Sequence, residues 1–219
     1  MKHPAILGAA LLCLLVPFAR AEEELVVSGV PLTNKVVFLV DVSGSMTMGA
    51  VRALAARLQA ENTAEARDDL DTALHYVREI VTRISDQAKV KFVAFGAAMS
   101  WYDHDEWMKL PDRQVFDAIA WYRSMAQHED MASATHLVDA VRAVLELPDE
   151  DMSVVIISDC ELGDSEERVE EIAQANAARD HGPVPIAVIS VGAVSTKADR
   201  VARKIAEDSQ SFYLRRTSE

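Results

Sequence analysis

Residues 36–46 read VVFLVDVSGSM: five apolar residues run into Asp41, and Ser43 and Ser45 follow at alternate positions around Gly44. Alternate positions in one loop can present both hydroxyls to a single point, and glycine lets the backbone between them turn tightly. A second apolar run, SVVIISD, ends the same way in Asp159. A carboxylate at the end of a buried strand is costly unless something neutralises it, and two such ends brought together repel each other. A divalent cation answers both problems. Oxygen donors alone, with no His or Cys at ligand spacing beside them, select a hard ion: Mg²⁺, with Mn²⁺ or Ca²⁺ as alternatives. Taken singly, Ser-Gly-Ser after a strand also suits a turn followed by a helix cap. A phosphate-binding loop is excluded, because no Gly-Lys-Ser/Thr follows and the Gly-x-Gly-x-x-Gly spacing is absent.

The elements that must position these residues alternate along the chain. Apolar runs at Val36–Val40, Val90–Phe95, Val154–Ile157 and Val184–Val191, with shorter ones at Met99–Tyr102 and Phe212–Leu214, predict strands. Their continuous rather than alternating apolar character suits strands buried on both faces. Between them, Leu70, Leu74, Val77, Val81 and Ile84 keep the helical period. Val115, Phe116 and Ile119 mark another helix, and so do Leu137, Val141 and Val144. Val169, Ile172 and Ala173 follow a capping box of Asp164 and Glu167; Val201, Ala202 and Ile205 follow a cap at Ser195 or Thr196. Gly49–Ala60 is also helix-like. Strand–helix alternation predicts an α/β fold: a doubly wound, mostly parallel central sheet with helices on both faces. In such sheets ligands bind beyond the carboxyl ends of the strands, where the strand order reverses.

With these residues in place the chain resembles the von Willebrand factor type A domains, the integrin inserted-domain fold. The resemblance spans roughly Val36 to Leu214, and DVSGS matches the family's Asp-x-Ser-x-Ser signature. The family's metal-ion-dependent adhesion site adds a threonine opening the helix before the fourth strand and an aspartate ending that strand. SATHLVDAV offers Thr135 for the first, and IISDCE offers Asp159 for the second. The resemblance therefore implies a metal site made of Asp41, Ser43, Ser45, Thr135 and Asp159, with hydroxyls coordinating directly and carboxylates often acting through water. Such an ion stays electrophilic and accepts a carboxylate from an Asp or Glu of a partner protein. Two departures stand out: Ser133-Ala134 precedes Thr135 where the family often has glycines, and Cys160 follows Asp159 where the family usually has glycine.

Composition bounds the rest. The 219 residues carry a net charge of −13, which argues against nucleic acid and anionic lipid as partners. The N-terminus has Lys2 and His3, an apolar run from Ala5 to Phe18, and the small-x-small triplet Ala19-Arg20-Ala21. That is the pattern of a signal peptide cleaved after Ala21; the run is short of the roughly 20 residues a membrane span needs. Cleavage removes Lys2 and Arg20 and no acid, leaving a still more acidic chain with the single cysteine Cys160. The expected organisation is a leader over 1–21, a linker or peripheral hairpin over 22–35, and a type A domain over 36–219. No Asn-x-Ser/Thr sequon occurs, which suits a bacterial exported protein, periplasmic or secreted, without membrane insertion after cleavage.

Other chemistry-bearing residues have plainer readings. Cys160 with His128 or His136 has the composition of a nucleophile pair, but nothing visible in the sequence lowers the thiol's pKa, so the expected reading is a small buried thiol at a strand end. YDHDE at 102–106 and QHED at 127–130 read as solvated acidic loops. Trp101, Trp107, Trp121 and Tyr122 suit a core edge or a partner-binding face. The expected function is a non-enzymatic, metal-dependent protein–protein interaction module. Its alternatives are an exported Mg²⁺-dependent hydrolase using the same ion, for which no general base is visible, and a structural module that binds partners without metal.

Overall fold

The computed structural model describes residues 25–27, 30–47, 69–84, 87–103, 106–109, 112–161, 166–192 and 194–216. The expected leader, the helix-like stretch 49–60 and the cap residue Asp164 lie outside them. Strands β1 (Leu25–Val27) and β2 (Val30–Leu32) form a two-stranded antiparallel hairpin, where the sequence left a linker or a hairpin open.

A seven-stranded sheet follows. Its strands are β3 (Lys35–Asp41), β4 (Lys89–Phe95), β5 (Met99–Tyr102), β6 (Met108–Lys109), β7 (Ser153–Ser158), β8 (Ile186–Val191) and β9 (Tyr213–Arg216). The spatial order is β5-β4-β3-β7-β8-β9, with β6 also paired to β4. β4, β3, β7, β8 and β9 run parallel, whereas β5 and β6 run antiparallel to β4. The central strands are buried on both faces, as their unbroken Val/Ile/Phe runs require. The chain leaves β3 toward β4 on one side and returns to β7 on the other, so the order reverses at β3.

Among the described residues, the strands are connected by α1 (Asp69–Arg83), α2 (Asp112–Met125), the single turn α3 (Glu129–Ala132), α4 (Leu137–Leu145), α5 (Glu166–Ala177) and α6 (Thr196–Asp208). On one face of the sheet, Phe38, Val40, Phe92 and Ile157 pack against Leu74, Val77 and Ile80 of α1 and Val115, Ile119 and Tyr122 of α2. On the other, Val37, Leu39, Ile156 and Val188 pack against α4, α5 and α6 through Val141, Ile172 and Val201. Helix ends follow local chemistry. Asp69 and Asp71 open α1 and Arg83 closes it, matching the helix dipole. The Ser195 hydroxyl caps α6 by accepting from the Ala198 N–H at 3.2 Å. Among the described residues no helix is long and apolar enough to cross a membrane.

Candidate metal-binding site

The β3–β7 ladder ends at the pair Val40–Ile157, so Asp41 and Ser158 are the next residues on the two strands, and Asp159 lies one step beyond. The sheet thus carries both aspartates to the same rim, at the position where its strand order reverses. Asp41 is fully buried and Asp159 is 5% exposed. One Asp41 oxygen accepts the Ser43 N–H at 2.9 Å, and the other accepts the Ser158 hydroxyl at 2.6 Å. Burial, and then the charge of Asp159, push the Asp41 carboxyl up to about 7 against the pull of these hydrogen bonds. Asp159 accepts the Glu161 N–H at 3.0 Å. No Lys, Arg or His among the described residues pairs with Asp41.

After Asp41 the chain turns helical over 44–47. The turn brings the hydroxyls of Ser43 and Ser45 to 3.1 Å from each other, and Ser43 is buried. Thr135 is buried at 3% exposure and stands two residues before α4; His136, not Thr135, occupies the cap position. Its segment is fastened to the rim by backbone. His136 N–H donates to Gly96 O at 2.9 Å, and Ala97 N–H donates to Met131 O at 3.2 Å. A Cβ on Gly96 would fall 2.0 Å from Met131 O, and one on Gly44 would fall 2.7 Å from Ala132 O. Both glycines are therefore needed for close backbone approach. Three segments far apart in sequence meet here: 41–45, 131–136 and 158–161.

Ser158 is a rim residue that sequence reasoning passed over. Its hydroxyl donates to Asp41 and accepts the Cys160 N–H at 2.8 Å, so it fixes both the carboxylate and the turn that follows β7. The available signal was a hydroxyl residue immediately ahead of Asp159. Cys160 adopts a left-handed backbone, φ 55°, in the slot where the related pattern has glycine. Its thiol is buried and pushed up to about 12, chiefly by burial, so it is not an activated nucleophile at neutral pH. Asp103, Glu106 and Gln127–Asp130 are exposed. Among the described residues, no group of three or more His, Cys, Asp or Glu side chains forms a metal cluster. The donor set at the rim is of another kind, two carboxylates and hydroxyls, and it suits a hard dication.

The topology defines the fold class: a doubly wound α/β fold like that of the von Willebrand factor type A domains. Solved structures similar to this chain include the conserved hypothetical protein BatB from Bacteroides thetaiotaomicron, with TM-score 0.55, 16% identity, and coverage of 84% of this chain and 91% of that one. A von Willebrand factor type A protein from Catenulispora acidiphila aligns with TM-score 0.57 and 13% identity over 86% of this chain and 39% of that one. Proximal thread matrix protein 1 of the mussel byssus aligns with TM-score 0.51 and 13% identity over 84% of this chain and 43% of that one. Likeness at these identities establishes the fold. No protein-family model and no curated protein matches the sequence.

Proposed function

We propose that this chain is an exported interaction module that holds a divalent cation, Mg²⁺ in the first place, and uses it to capture an acidic residue of a partner protein. The carrying observation is the convergence of two buried, mutually repelling carboxylates, Asp41 and Asp159, with the paired hydroxyls of Ser43 and Ser45. The type A-like fold supports a protein-interaction role in general; the metal and the acidic ligand are the narrower reading. Asp41 and Asp159 would balance the ion's charge, and Ser43, Ser45 and Thr135 would supply neutral oxygens. An ion with few anionic ligands remains a Lewis acid, able to take a carboxylate from outside. Ser158 holds Asp41 in place, and the Gly96–Met131 contact holds the Thr135 segment. Among the described residues the buried Cys160 thiol beside the set is not activated, and the reading we favour is non-catalytic.

The direct test is calorimetric titration of Mg²⁺ and Mn²⁺ into the wild type, Asp41→Ala and Asp159→Ala. One site per wild-type chain and none in the variants supports the proposal. Equal heats in all three proteins remove the metal from it. Capture of exported proteins with and without EDTA then tests the bridge, and a partner retained equally in both conditions argues against an ion-mediated contact.

A further inference from the structure

Strand register lines up three lysines on one face of the sheet. Lys35 of β3 pairs with Lys89 of β4, and Lys89 pairs with Lys109 of β6. Paired residues leave the same face, so the three form a row across strands about 4.8 Å apart. Lys91 follows two residues along β4 on that face. Like charges directly opposite one another in a sheet repel, and here they gather in a chain whose net charge is −13. Half of the cluster is firmly held. Lys91 is only 4% exposed, with its ammonium 5.9 Å from the Trp101 ring centre and 5.5 Å from that of Trp107. Lys35 stands 5.7 Å from the same Trp107 ring. Asp149 binds the Lys35 ammonium at 2.5 Å and accepts the Trp107 indole N–H at 2.9 Å. The other half is open: Lys109 is exposed, Lys89 is half-buried, and neither has an ion-pair partner among the described residues.

We propose that this corner is a second recognition surface, which takes an extended acidic segment of a partner protein. It lies at the opposite end of β3 from the Asp41–Asp159 rim, roughly 20 Å away along the strand. Charge complementarity names the occupant. An extended chain repeats same-side residues about every 7 Å, so acidic residues at alternate positions can engage the lysine row while neighbouring side chains rest on the half-buried faces of Trp101 and Trp107. A continuous anionic surface, lipid or nucleic acid, fits less well. Asp103, Glu106 and Glu150 are exposed beside Tyr102, Trp107 and Asp149 and repel a broad polyanion, while a single narrow chain can pass between them.

The test uses the full chain in EDTA, titrated with a synthetic peptide of alternating Glu and Ser and with its Gln-Ser counterpart, followed by tryptophan fluorescence and calorimetry. Binding of the glutamate peptide alone, weakened by salt, is expected. Lys109→Gln, at an exposed position, should weaken it several-fold, and Lys89→Gln with Lys109→Gln about tenfold or more. Binding in EDTA that is unchanged when Mg²⁺ is added in excess separates this surface from the metal reading. No peptide binding, or equal binding by the lysine variants with unchanged thermal melts, overturns the proposal. It is overturned equally if anionic phosphatidylglycerol vesicles bind in place of the peptide, or if the lysines prove to mediate self-association in sedimentation velocity.

Discussion

Replacing Asp41 by Asn probes the electrostatics of the rim most sharply. The Asp41 carboxyl rises from 3.8 to about 7, because burial and Asp159 disfavour its charge. A raised acid holds its proton longer in the folded state than in the unfolded one. Folding therefore loses stability as pH climbs from about 4 to about 7, and the loss is complete above that window. Three pH units at about 1.4 kcal/mol each make the cost about 4 kcal/mol in metal-free solution. Asparagine keeps the shape and can keep both contacts, accepting from Ser43 N–H and donating to Ser158, but it never ionises. Urea unfolding of both proteins in EDTA, across pH 4 to 8, should show a gap that shifts in favour of Asp41→Asn by up to about 4 kcal/mol with rising pH. Saturating Mg²⁺ should then restore stability to the wild type, by about 2.7 kcal/mol at a hundredfold excess over Kd, and leave the variant unchanged. A pH-independent gap, or a variant rescued equally by Mg²⁺, refutes the reasoning.

Three further outcomes follow from the same contacts. Ser158→Ala removes the 2.6 Å bond to Asp41 and the acceptor for Cys160 N–H; it should cost about 1–3 kcal/mol in urea unfolding and weaken Mn²⁺ binding. Gly96→Ala places a Cβ 2.0 Å from Met131 O, so the Thr135 segment must move, with about 1–3 kcal/mol lost in thermal melts and metal affinity reduced. Cys160→Gly relieves the left-handed backbone at φ 55° and should stay within about 1 kcal/mol of the wild type, whereas Cys160→Val should destabilise it clearly in the same melts.

The central sheet was legible because its strands are buried on both faces: unbroken runs such as Val36–Val40 and Val154–Ile157 admit few other placements. Asp41 and Asp159 stood out for the same reason, as charges where apolar runs stop. Other features depend on tertiary partners. The antiparallel course of β5 and β6 is set by pairing to β4, and short polar-flanked strands carry little signal of direction. Ser158 looks like an ordinary strand residue until Asp41 is placed beside it by register. The Thr135 segment reaches the rim through Gly96 and Met131, whose contact is made between backbones and leaves no pattern in side-chain type. The lysine row is likewise invisible along the chain, since Lys35, Lys89 and Lys109 become neighbours only through the ladder.

The most direct measurement is an anomalous difference map from crystals of the full chain grown with Mn²⁺. One strong peak at the rim, within coordinating reach of Ser43, Ser45 and Thr135 and beside Asp41 and Asp159, is the predicted result. A peak elsewhere, or none at a Mn²⁺ concentration that saturates binding in solution, contradicts the account.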